Sequence, residues 1–214
     1  MSERRRVLEI LAKGLVEISG GSIEVEGTIP RRPFYLVSNH VSWLDIVVYQ
    51  VVTGCVFVSK SDVAQWPVIG TIARNTGALF IKRERLRELF SVNDQITHAL
   101  SRGEGVLVFV ESTTSAGDVI LPFKSALLES AATGSVDVSF ASIHYQSHER
   151  WPPASRVIGW GDWTPFFVHM MRFLRLPRYR ATIRFGTKTY CASDRKRLAK
   201  QLESAVRGIH TIML

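Results

Sequence analysis

The chain has 214 residues, of which 46% are apolar and 21% charged, with a formal charge of +8. This is an ordinary globular balance, long enough for one compact domain with a proper core. Two distant cysteines, Cys55 and Cys191, exclude a disulfide framework and zinc-ligand spacing. The basic balance, with a sequence pI near 9.9, points to an anionic partner: nucleic acid, a membrane surface or a phosphorylated substrate.

Residues 4 to 18 read as an amphipathic helix, with Val7, Leu8, Leu11, Leu15 and Ile18 on one face, ended by Ser19-Gly20-Gly21. Ile23 to Glu26 alternates like a strand, and Phe34 to Ser38 is an apolar, buried one. Ser42 to Val52 follows as a helix and Cys55 to Val58 as a buried strand, with Cys55 a small buried hydrophobe. A short helix is expected over 67–75, opened by Pro67, and a strand over Ala78 to Ile81. Leu86 to Leu100 is a patterned helix that turns at Gly103 and Gly105 into the strand Val106 to Val110. A small helix near Ser125 to Ala132, a strand from Val136 to Ile143, and an irregular stretch over 146–163 come next. Thr164 to Leu174 reads as a helix, Tyr179 to Phe185 as a strand, and Asp194 to Ile209 as a basic amphipathic helix. Apolar strands alternating with helices predict a single α/β domain over 1–214, with residues 1–20 as an N-terminal amphipathic helix. The expected architecture is a mixed, largely parallel central sheet with helices on both faces.

In such sheets, sites gather beyond the carboxyl ends of strands. Three places qualify. The first is Asn39-His40-Val41-Ser42-Trp43-Leu44-Asp45, just after the strand at Phe34. One helix would separate side chains at this spacing by roughly 140°. His40 is therefore expected on the turn, with Asp45 one turn into the next helix. Imidazole suits proton transfer near neutral pH, and a carboxylate on its other nitrogen fixes the tautomer and stabilises the imidazolium. Ser42 followed by Asp45 also matches a helix capping pattern.

The second place is Gly77 to Arg83, where Lys82 and Arg83 follow a strand directly and Arg85 and Arg87 come after. Arginine offers a fork suited to phosphate and lysine a point charge, although such runs also form solvated faces. In the third, Glu111 is followed by Ser112, Thr113, Thr114 and Ser115, and Lys124 returns a cation after Leu121-Pro122-Phe123.

Taken together, Asn39-His40-x-Ser42-x-x-Asp45, Gly77-x-x-Phe80-Ile81-x-Arg83 and Phe109-x-Glu111-x-Thr113 resemble the motifs of the glycerolipid acyltransferase family (PlsC-like, 1-acylglycerol-3-phosphate O-acyltransferase). The resemblance covers roughly residues 30 to 145 and has features of lyso-ornithine lipid acyltransferases. It implies transfer of a fatty acyl group from a thioester, acyl-CoA or acyl carrier protein, to the free hydroxyl of a lysolipid. His40 and Asp45 would be catalytic. Asn39, Ser42, Lys82, Arg83, Glu111, Thr113, Thr114 and Lys124 would bind substrate. Neither a metal nor a cofactor is required. The third block departs from the family pattern F-P-E-G-T-R-S: Val110, Ser112 and Thr114 stand where the family has Pro, Gly and Arg. Ser112 restricts the backbone relative to Gly. Loss of the arginine favours either an acceptor other than lysophosphatidic acid or a substitute charge from Lys82, Arg85 or Lys124. A non-catalytic lipid-binding descendant of the fold is the alternative.

No apolar run is long enough to span a bilayer, and no signal peptide is apparent. Pro165 to Arg175 is very apolar, with Trp160 and Trp163 before it and Arg172, Arg175, Arg178 and Arg180 in and after it. That pattern fits either a core helix or one lying in a lipid interface. A second candidate anchor is the N-terminal helix with Arg4-Arg5-Arg6. The expected place is the cytoplasmic face of a membrane, peripherally bound to an anionic surface. His144 and His148 lack a third metal ligand. No nucleic-acid signature accompanies the charge, so a nucleic-acid partner is not expected.

Overall fold

The computed structural model describes residues 3–60, 78–81, 86–162 and 164–213. The helix expected over 67–75 lies outside them, as do Lys82, Arg83, Arg85 and Trp163.

Helix α1 (Glu3–Ile18) leads into β1 (Gly21–Glu26), then β2 (Phe34–Ser38), α2 (Leu44–Thr53), β3 (Val56–Lys60) and β4 (Leu79–Ile81). Next come α3 (Leu86–Ser101), β5 (Gly105–Phe109), a 3-10 turn (Ser125–Leu128), α4 (Glu129–Thr133) and β6 (Val138–Ser147). The chain ends with α5 (Ala154–Val157), α6 (Phe166–Phe173), β7 (Tyr179–Phe185) and α7 (Arg195–Ile209). The described strands form one seven-stranded sheet in the order β1-β7-β6-β2-β5-β3-β4. Every pairing is parallel except β6 with β7. The sheet is mixed, largely parallel and covered on both faces, as its apolar strands predict.

Strands β2 and β5 are buried at every position because helices cover both sides. Their alternation sorts the core into two layers. Phe34, Leu36, Leu107, Phe109, Ile143 and Tyr145 face α2, α5 and α6. Tyr35, Val37, Val106, Val108 and Phe140 face α3, α4 and α7. Asn93 on α3 is buried yet satisfied: its amide donates to Ala126 O at 3.2 Å and its oxygen accepts from Ser130 N at 3.0 Å.

Several boundaries differ from expectation. Strand β6 runs to Ser147 because β7 pairs with it as far as Tyr179. Residues 154–157, expected to be irregular, form the short α5. In α1 the inward residues are Ala12 and Val16, while the apolar stripe at Val7, Leu11, Leu15 and Ile18 faces outward. Small residues sit where α1 packs closely, so the larger apolar face is left uncovered. Helix α6 divides similarly: His169 and Phe173 are buried, whereas Phe167, Val168 and Met171 are exposed.

Candidate active site

Three strands supply the site, and the adjacent parallel strands β2 and β5 end side by side, with Ser38 opposite Phe109. His40 lies on the turn after β2. Its Nδ1 is 2.7 Å from Asp45 Oδ2, and Asp45 is the second residue of α2. The same Oδ2 accepts the backbone N–H groups of Val41 at 2.7 Å and Ser42 at 3.0 Å. Asp45 is fully buried, while the His40 side chain is 18% exposed. The helix-start bonds and the contact with the imidazole therefore meet in one carboxylate. It reaches back to the helix-start N–H groups and holds the imidazole through Nδ1–H. Nε2 is then the ring atom left to accept a proton.

The imidazole lies flat against Phe109, with ring centroids 4.0 Å apart and planes at 13°. Its backbone is also fixed from outside the turn. His40 N donates to Glu111 Oε2 at 2.9 Å, and Ser115 N donates to His40 O at 2.9 Å. Trp160 N donates to Val41 O at 2.9 Å. The second oxygen of Glu111 accepts Leu121 N at 2.9 Å, so this one carboxyl spans both ends of the loop after β5. Burial, helped by the Asp45 charge, raises the Glu111 pKa to about 8 and outweighs the two N–H donors.

Asn39 extends the β2–β6 ladder by one rung. Its amide donates to Ile143 O at 2.9 Å, and its oxygen accepts from Ile143 N at 2.8 Å. Ser38 Oγ accepts the Tyr49 hydroxyl at 2.7 Å. Ser112 adopts φ 68°, a left-handed conformation that favours glycine. The loop keeps a glycine-like turn despite carrying a side chain.

Asn39, Ser42 and Glu111, expected to bind substrate, are placed inside the turn. Each is only 1% exposed, and each polar group serves the protein's own backbone. Their bonds build the turn. The Thr114 hydroxyl is likewise committed, donating to Trp160 O. Thr113 and Lys124 are exposed, and Lys124 is held at the end of β5 by its N–H to Val110 O at 2.9 Å. Lys82 and Arg83 lie outside the described residues.

Sequence reasoning missed Tyr145, whose hydroxyl donates to Asp45 Oδ1 at 2.7 Å. Alternation from Ala141 and Ile143 would have placed it on the inner face had the strand been carried past Ile143. It also missed Phe109 as the floor under His40, and Trp160. His144, once a metal candidate, is buried on β6, and its pKa is lowered by that burial and by Arg184. The buried His169 accepts Trp43 Nε1–H at Nδ1 (3.2 Å), which leaves Nε2–H to donate to Ile158 O at 3.1 Å.

A histidine held by a sealed carboxylate at the carboxyl edge of a mostly parallel sheet is an arrangement suited to taking a proton from a nucleophile. The profile of the acyltransferase family matches residues 22–146. The chain belongs to that family. Across 96% of its length it is 29% identical to a lyso-ornithine lipid O-acyltransferase of Brucella abortus, covering 82% of that protein. It is 33% identical over 86% of its length to the Pseudomonas aeruginosa protein of the same description, covering 70% of it. A 1-acyl-sn-glycerol-3-phosphate acyltransferase of Neisseria gonorrhoeae is 35% identical over 66% of the chain, which spans 56% of that relative's length. The crystal structure of PlsC, the 1-acyl-sn-glycerophosphate acyltransferase of Thermotoga maritima, superposes with a TM-score of 0.70 over 95% of this chain and 77% of that one, at 23% identity. It shares the fold.

Proposed function

We propose that the chain transfers a fatty acyl group from a thioester, acyl-CoA or acyl carrier protein, to the free hydroxyl of a lysolipid. The supporting observation is the 2.7 Å bond from His40 Nδ1 to the buried Asp45 carboxylate, which leaves Nε2 as the base. Nε2 removes the hydroxyl proton as the oxygen attacks the thioester carbonyl. A new C–O bond forms, and Asp45 stabilises the imidazolium. The tetrahedral intermediate then expels the thiolate, which recovers the proton from His40. Such base assistance is worth about two to four orders of magnitude in rate.

A lyso-ornithine lipid is the acceptor favoured here. Relatives of that description align with more of the chain than the glycerophosphate enzyme does. Thr114 also leaves no guanidinium for an anionic head group at that position. By its motif, Arg83 with Lys82 is assigned a phosphate of the donor, or of the acceptor where that is a lysophosphatidic acid. The test is acyl transfer from labelled acyl-CoA and acyl carrier protein to a panel of lysolipids. Turnover of lyso-ornithine lipid above lysophosphatidic acid is expected, and absence of turnover on every acceptor refutes the reading in favour of a non-catalytic lipid binder.

The lipid acceptor also explains the outer surface. Val7, Ile10, Leu11, Leu15 and Ile18 on α1 are exposed, as are Phe167, Val168, Met171 and Leu174 on and after α6. Tyr179 lies between the two helices, bonded to Ser19 at 3.0 Å and packed on Phe173 at 5.3 Å. Exposed Arg6, Arg175 and Arg178 suit anionic head groups. Among the described residues no helix is long and apolar enough to cross a membrane. We infer peripheral docking on the cytoplasmic face, with α1 and α6 in the lipid interface.

A further inference from the structure

We propose that Tyr145 is a positioning residue for acyl transfer: acting through Asp45, it sets how firmly His40 holds a proton. The inference rests on His40 being the base of the reaction above. The two oxygens of Asp45 are divided between two tasks. Oδ2 takes the imidazole and two backbone N–H groups, and Oδ1 takes the Tyr145 hydroxyl at 2.7 Å. Asp45 is fully buried and Tyr145 is 1% exposed, so no solvent competes for that oxygen.

Tyr145 is a permanent donor. Burial, together with the Asp45 charge, pushes its pKa well above the ordinary phenol value, so it keeps its proton. A donor on Oδ1 draws negative charge away from Oδ2 and weakens the pull on the imidazole N–H. It also ties down the second oxygen of a carboxylate already held at Oδ2. Without the phenol, Asp45 would hold the imidazolium more tightly. The return of the proton to the leaving thiolate would then be harder.

The hydroxyl arrives from a different element than its target. Tyr145 stands on β6, two residues past the Ile143 gripped by Asn39, and pairs with Ala181 of β7. Among the described residues, the other titratable groups about His40 are Glu111, through the His40 backbone N–H, and Tyr49, whose ring meets Phe109 at 6.1 Å. The field of Arg207 acts on Glu111. Of these, only Tyr145 bonds Asp45 from its side chain.

The experiment follows the titration of the His40 ring signals by NMR, assigned with His40→Gln, beside the pH profile of kcat/KM. In Tyr145→Phe the titration midpoint and the acidic limb are expected to move up together by about half a unit to one unit, with KM unchanged. A ring-fluorinated tyrosine at position 145, a stronger donor, should move both in the opposite direction. Loss of packing alone cannot produce shifts of opposite sign, and this second variant retains the hydroxyl if the phenylalanine variant folds poorly. A midpoint unmoved in both variants, or moved the same way in both, overturns the proposal. The ring titration needs no turnover. If no acceptor is acylated, the function reading fails while the role of Tyr145 is still decided.

Discussion

Phe109 lies parallel to His40, with its ring centroid 4.0 Å from that of the imidazole. The stack closes one face of the base, and Asp45 holds its edge. Phe109→Leu keeps the apolar burial but removes the flat surface. We expect kcat to fall by about tenfold with little change in KM, because the ring would sample orientations in which Nε2 misses the hydroxyl. Steady-state kinetics on the best acceptor, with thermal melting as the folding control, measures this.

His40→Ala should reduce turnover by about two to four orders of magnitude and leave the circular dichroism spectrum and melting curve close to wild type. The ring is partly exposed and caps no helix, so its removal should not unfold the turn. Ordinary turnover in this variant would refute the assignment of the base.

Asp45→Asn should cost both activity and stability. The carboxylate accepts four donors within 3.0 Å, and an amide must turn one N–H2 toward some of them. A loss of about 1–3 kcal/mol in urea unfolding is expected, together with a collapse of kcat larger than the stability loss explains. Stability unchanged from wild type would contradict the bonding described.

The buried Glu111 carboxyl ties its protonation to folding. It keeps its proton up to about pH 8, whereas an exposed carboxyl releases it near 4.5. Between those values the unfolded chain binds fewer protons than the folded one, so stability falls as pH rises. The contribution is on the order of a few kcal/mol across the window. Glu111→Gln should flatten that dependence while lowering stability at the acid end, because an amide cannot accept from both His40 N and Leu121 N. Urea melts across the window give the slope.

Ser112 holds φ 68° in a region that disfavours a side chain. Ser112→Gly should stabilise the protein by about 1 kcal/mol and leave the site geometry intact. A destabilised variant would show that the hydroxyl is needed more than the backbone is strained.

The sequence made much of this fold and site legible, and the reasons are physical. Order in the sheet follows from apolar runs buried on both faces, and Tyr179 to Phe185 forms a strand over the very residues its pattern marks. His40 and Asp45 were readable because their contact spans only one turn. Tyr145 and Trp160 reach the same turn from a hundred or more positions away, which no local pattern encodes. The α1 stripe was visible, but its direction was not. Periodicity gives a face without saying whether protein or lipid lies beyond it, and here small Ala12 and Val16 take the packed side. The backbone bonds of Asn39 and Glu111 were not legible for a related reason, since a polar side chain beside His40 looks the same in sequence whether it meets a ligand or the backbone.

The Asn39 amide completes a rung between β2 and β6 where the backbone of β2 has already turned away. If β6 slipped by one residue, Tyr145 would swing to the opposite layer and Asn39 would face a mismatched partner. A chain with a misthreaded sheet would therefore lose both contacts at once, and the pH profile of the site becomes a readout of correct assembly.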